Sequence, residues 1–344
     1  MKNAKRETIS NRQAHRIIAL LAGALFVLFL LSFLLGRFDV PLREVIRILI
    51  SRIVPIEQTW TDRMAVAVIN IRLPRILLAC LVGCCLTAAG ISYQTVFQNP
   101  MAAPDILGAS SGACFGAALA ILLHAGRVGV TVSAFAFSML SVFLVYLVGS
   151  RTRGNRIMSI LLAGVMVSSL FSAGTSYVKL VADPTNQLPA ITYWLMGSLS
   201  GATLSQVWYA LIPMAAGLIL LLLLRWRMNL LTLSGEEAKS IGVNTGRLRL
   251  CVILCATLLT ASSVAVSGMI GWVGLVIPHL CRKLVGSNCR FLMPAGMLFG
   301  AIFLLLVDNL SRNLLSVEIP IGILTAFIGA PFFLFLMTRR ETPV

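Results

Sequence analysis

Runs of about 20 mainly apolar residues recur along this chain, and lipid is the solvent that can accommodate so many of them. The bilayer core offers no partner for a backbone N–H or C=O group, so each run must close its hydrogen bonds internally as a helix. Ten stretches have this character: 17–36, 75–97, 106–125, 129–149, 157–180, 206–225, 249–267, 271–286, 292–315 and 320–338. Composition agrees, at 58% hydrophobic and 12% charged. The predicted fold is all-α: one polytopic membrane domain over 1–344, with ten transmembrane helices.

An even number of crossings puts both termini on one side, and Lys and Arg decide which. With the ends in the cytoplasm, eighteen of the 28 basic residues fall on the inner side, the direction of the positive-inside bias. This gives a cytoplasmic tail at 1–16, an outer loop at 37–74 and a cytoplasmic loop at 226–248. The tail carries Lys2, Lys5, Arg6, Arg12 and Arg16 ahead of an apolar run too long for a signal-peptide core, so an uncleaved first helix is expected. The net charge of +16 is spread over the connections rather than gathered in a patch, which argues against a nucleic-acid partner.

The outer loop breaks the charge rule. It holds Arg37, Arg43, Arg47, Arg52, Arg63 and Arg72, with Arg75 just beyond. Val40, Arg43, Ile46, Arg47 and Ile50 follow helical spacing, as in a short amphipathic helix lying on the membrane surface. Arg72 and Arg75 bracket Pro74 at the predicted mouth of the second span.

Glycine and proline interrupt several spans, at Asn99-Pro100, Ala103-Pro104, Gly108, Gly271, Gly274, Pro278, Pro320, Gly322, Gly329 and Pro331. Irregular backbone at membrane depth is tolerated where it is buried in protein or lines a cavity, so these breaks point toward a pathway. Gly112 with Gly116 fits close helix packing instead. Ten spans also divide into two halves of five, which, if duplicated, must have inverted topology.

Chemistry is sparse. Of twelve acidic residues only Asp308 lies well inside a predicted span, whereas ion-coupled carriers need several ionisable groups there. Eight cysteines lack the paired spacing of zinc sites and read as small packing residues. No metal site, cofactor site or catalytic set is expected. There is no HExxH, and no Gly-Lys pair from which a phosphate-binding loop could be built, so ATP-driven transport would need a separate ATPase. The inner segment 230–249 suits such a partner: Ser234 caps a short helix through Glu236 and Glu237 that ends at Gly242.

Seven stretches together resemble the permease subunits of ABC importers for iron-siderophores, haem and cobalamin, the FecCD or BtuC-like family. They are Arg72-Leu-Pro-Arg75; Gln98-Asn-Pro-Met-Ala-Ala-Pro-Asp-Ile-Leu-Gly108 with Ser110-Ser-Gly112; Leu161-Leu-Ala-Gly164; Tyr193-Trp-Leu-Met-Gly-Ser198; Gly235 with Ala238 and Gly242; Val276-Ile-Pro-His279; and Pro320-Ile-Gly-Ile-Leu-Thr325 with Gly329-Ala-Pro331. The resemblance implies a permease dimer, homo- or heteromeric, around a central path. It also implies two cytoplasmic ATPase subunits and an extracytoplasmic substrate-binding protein.

By the same resemblance Arg72, Arg75 and Arg312 receive carboxylates of the binding protein. Gly235, Glu236, Glu237, Ala238 and Gly242 form the coupling helix on the ATPase, and Asn99, Pro100 and Met101 form a cytoplasmic gate, with Met101 where leucine is common. The expected cargo is a ferric siderophore or related metal chelate, with haem, cobalamin and ferric citrate equally compatible. His279 reads as structural.

Overall fold

A computed structural model of the chain describes residues 10–151, 156–232 and 244–338. Among the described residues there are twelve α-helices and no strand. They are α1 (Asn11–Ser32), α2 (Leu42–Ile50), α3 (Asp62–Val96), α4 (Ala109–Leu122), α5 (Arg127–Arg151), α6 (Arg156–Val181), α7 (Gln187–Leu195), α8 (Leu204–Met228), α9 (Thr245–Ser267), α10 (Val273–Val285), α11 (Cys289–Asn313) and α12 (Ile321–Thr338). Every one of the ten predicted runs coincides with a helix. Seven of these helices are long and apolar enough to cross a membrane, α4 and α12 being shorter apolar helices.

The centre of the bundle is α3, an apolar helix on all sides, packed against α8, α9, α10 and α11. In α3, 78% of the apolar window is buried, against 6% in α1, which lies on the outside against α11. Hydroxyl groups enter this core by donating back to the carbonyl four residues earlier, as Ser92 does to Ala88, Thr95 to Ile91 and Thr257 to Ile253. The Tyr93 hydroxyl pairs with Thr257 across α3 and α9 at 3.0 Å. Glycine sets the closest approaches. A Cβ on Gly90 would stand 1.9 Å from the Gly274 carbonyl oxygen, and one on Gly112 would stand 2.5 Å from that of Phe137, so α3–α10 and α4–α5 meet backbone to backbone.

Two boundaries differ from the sequence reading. The second span does not begin at Arg75. Its helix starts at Asp62 and passes through a π turn at Val66–Arg72, where the Leu73 N–H reaches the Val68 carbonyl. Pro74 has no N–H and its ring crowds the carbonyl four residues back, and the wider π register provides that room. The other difference is α7, a nine-residue helix after α6 that hydropathy did not reveal. Its approach is fixed by Asp183, which accepts from the Thr185 hydroxyl at 2.8 Å and the Asn186 N–H at 2.7 Å. These bonds hold the Asp183 carboxyl below its usual range. A helix, α2, stands where the sequence predicts the amphipathic one, but it buries Val45 and Ile48, whereas Ile46 and Ile50 of the predicted apolar set are exposed and Val40 precedes the helix.

Candidate functional site

At one end of the bundle the expected docking arginines are brought together, but beneath the surface. Arg72, Arg75 and Arg312 are 4%, 4% and 7% exposed. Asp308 on α11 is fully buried and binds Arg75 Nε at 2.8 Å, with Arg312 Nε 3.3 Å away one helical turn on. Glu318, in the link to α12, places both carboxylate oxygens 2.9 Å from Arg75 Nη1. Arg72 donates to the carbonyls of Phe33 and Phe38, and Arg37 to those of Arg312 and Leu315. Asn309 joins Arg312 to Ser32.

The ends of α1 and α11 are thus tied to α3 about three turns inside its start. Asp308 and Glu318 face Arg75 and Arg312, the charge of Asp39 acts on Arg72, and the buried Arg75 Nη2 has no hydrogen-bond partner among the described residues. Glu318, with 30% of its side chain exposed, is the carboxylate on Arg75 within reach of the surface. The Asp308–Arg312 spacing of four on one helix is a sequence signal for such a pair. Glu318 is a partner that no sequence feature singled out.

At the opposite end of α3 lies the expected gate. Asn99, Pro100 and Met101 are exposed in a tight turn in which the Asn99 side-chain oxygen accepts from the Met101 N–H at 2.9 Å. Gln98, held at φ 49°, donates to the Leu231 carbonyl at 2.6 Å. The turn is therefore bonded directly to the chain just before the segment 233–243. The coupling residues Gly235, Glu236, Glu237, Ala238 and Gly242 lie outside the described residues.

The chain breaks also converge. The Ser198 N–H donates to Ser267 at 2.7 Å and the Ile321 N–H to Gly197 at 2.8 Å, joining the end of α7, the α9–α10 break and the start of α12. A Cβ on Gly322 would stand 2.3 Å from the Met196 carbonyl oxygen. Trp272, at φ 70°, is held in the left-handed region that bulky residues avoid. An apolar concavity of about 670 Å³ opens here, lined by Met196, Met269, Trp272, Gly322 and Phe327 among others.

Catalysis has no foothold. Gly108-Ala-Ser-Ser-Gly112 has the G-x-S-x-G spacing of a hydrolase nucleophile turn, a match that needs a strand leading into it. Here a 3₁₀ turn leads in, and Ser110 is 3% exposed and donates to Asp105.

A many-helix membrane bundle with broken helices, an arginine cluster at one end and a strained turn at the other defines a non-catalytic transport permease. The chain belongs to the FecCD transport family, whose model matches residues 24–339, and it is the permease of an ABC importer in which a separate ATPase hydrolyses ATP. It is 39% identical to the molybdate import system permease protein MolB of Haemophilus influenzae over 89% of this chain and 90% of that protein. It is 41% identical to an iron chelatin transport system permease protein of Helicobacter pylori over 81% of this chain and 84% of that protein. A solved structure described as an inward-facing conformation of a metal-chelate type ABC transporter matches 94% of this chain and 98% of its own, at 38% identity and TM-score 0.84.

Proposed function

We propose that this permease crosses the membrane ten times in two inverted halves of five, with both termini in the cytoplasm, and carries a ferric siderophore or related metal chelate inward. Two copies, or this chain and a related permease, would enclose the path at the converging chain breaks. Two ATPase subunits would sit on the coupling segment Gly235 to Gly242, and a binding protein would dock at the end carrying Arg72, Arg75 and Arg312. The carrying observation is the arginine cluster, which gathers Arg72, Arg75 and Arg312 at one place and leaves Arg75 Nη2 without a hydrogen-bond partner among the described residues. An incoming carboxylate would take the place of Glu318 on Arg75, because arginine's planar fork suits paired contact with carboxylates.

In this mechanism ATP closes the ATPase pair, the coupling segment moves, and the Gln98–Leu231 bond carries that movement to the Asn99-Pro100-Met101 turn. One end of the path opens as the other shuts. The similarity to a molybdate permease over most of the chain supports a second cargo, a small oxyanion.

The experiment is uptake into vesicles holding the assembled complex, with a ferric siderophore, haem, cobalamin and molybdate offered in turn. ATP-dependent accumulation of the ferric chelate is expected. Accumulation of molybdate alone would replace the cargo, and accumulation by the permease alone on an ion gradient would overturn the mechanism.

A further inference from the structure

The geometry points to a site for one anionic phospholipid in a groove between α5, α8 and α9, away from the arginine cluster. The groove holds about 630 Å³, within the range of about 300–1,000 Å³ typical of small-molecule sites. Its walls belong to helices that span the membrane, so hydrocarbon is the solvent that fills it.

Polarity in the groove is graded as an amphiphile requires. Arg127, Thr203, Ser205 and Gln206 stand at its mouth, and Val132, Phe135, Ala210 and Pro213 line it further along α5 and α8. From Arg127 to Phe135 is about 12 Å of helix, at ~1.5 Å per residue. That approaches the depth of one leaflet, half of a hydrocarbon core of about 30 Å.

The mouth selects for negative charge. Arg127 is exposed and anchored by Nη1, which donates to the Gly201 carbonyl at 2.8 Å, leaving the other N–H donors of the planar group at the opening. Among the described residues no carboxylate lines the groove. The N-terminal ends of α5 and α8 both line this mouth, and each adds partial positive charge. Arg127 thus presents a phosphate-binding fork at the point where an acyl chain would enter. Its place in the outer leaflet rests on the topology proposed above, whereas the site itself does not.

Native mass spectrometry of the full chain in detergent tests this, with phosphatidylglycerol and phosphatidylcholine as competing probes. The protein is expected to retain one phosphatidylglycerol about fivefold over phosphatidylcholine, the worth of one basic residue at an anionic surface. Arg127→Gln should abolish the preference, and Val132→Trp, placed at a 60% exposed position that tolerates bulk, should expel either lipid. Equal retention of the two lipids, an unchanged preference in Arg127→Gln, continued retention in Val132→Trp, or displacement by excess inorganic phosphate would each refute the site. None of these readouts depends on transport, so they stand or fall separately from the importer mechanism.

Discussion

Single residues in the arginine cluster carry unequal weights. Asp308 is fully buried between Arg75 and Arg312, so Asp308→Ala strands positive charge away from water. Removing one partner of a buried ion pair costs about 3–5 kcal/mol, and thermal unfolding in detergent should show a loss of that size. Glu318 is part-exposed, and Glu318→Gln should cost below about 1 kcal/mol while tightening the binding protein on the permease, because it removes the competing carboxylate. Weaker docking in Glu318→Gln would mean that Glu318 itself helps hold the partner. The arginines were legible as exceptions to a charge rule. Their burial was not, since a topology count cannot see that Phe33 at the end of α1 and Phe38 in the link beyond it offer carbonyls to Arg72.

Elements were easiest to read where lipid dictated them and hardest where local polar bonding did. The apolar runs gave ten helices because a continuous apolar run of about 20 residues closes its own backbone hydrogen bonds in a bilayer as a helix. The helix α7 escaped because nine residues including Pro189 are too short to read as a span, although Leu188, Ile191 and Leu195 form an apolar face, and its place depends on Asp183 and on the Ser198–Ser267 bond. The first three turns of α3 escaped because Pro74 resembles a helix start, and the π turn lets the helix run through it. The gate turn joins α3 to the 3₁₀ turn at Asn229–Thr232 through Gln98, a link between residues distant in sequence. In the assembled complex Gln98→Ala should leave ATP hydrolysis intact and lower uptake per ATP by about twofold to tenfold, as a bond of about 0.5–1.5 kcal/mol would. A fall in hydrolysis equal to the fall in uptake would place Gln98 outside the coupling route.

Across the whole molecule the arginine cluster and the gate turn lie toward opposite ends of α3, and the coupling segment would transmit work between the ATPase and the gate. Ala238→Pro should leave insertion unchanged and abolish substrate-stimulated hydrolysis, because proline removes a helix donor and costs about 3 kcal/mol within a helix. Normal coupled hydrolysis by that assembled variant would sink the coupling assignment. The lightly buried α1 bears on how the chain is made. Its packing partner α11 begins more than 250 residues later, so at ~5–20 residues per second the first helix waits roughly a quarter of a minute to a minute for that neighbour to be synthesised. A helix with little of its surface committed to protein can spend that interval facing lipid without penalty, and the hydrogen bond that Asn309 of α11 donates to Ser32 latches it only once that neighbour has arrived.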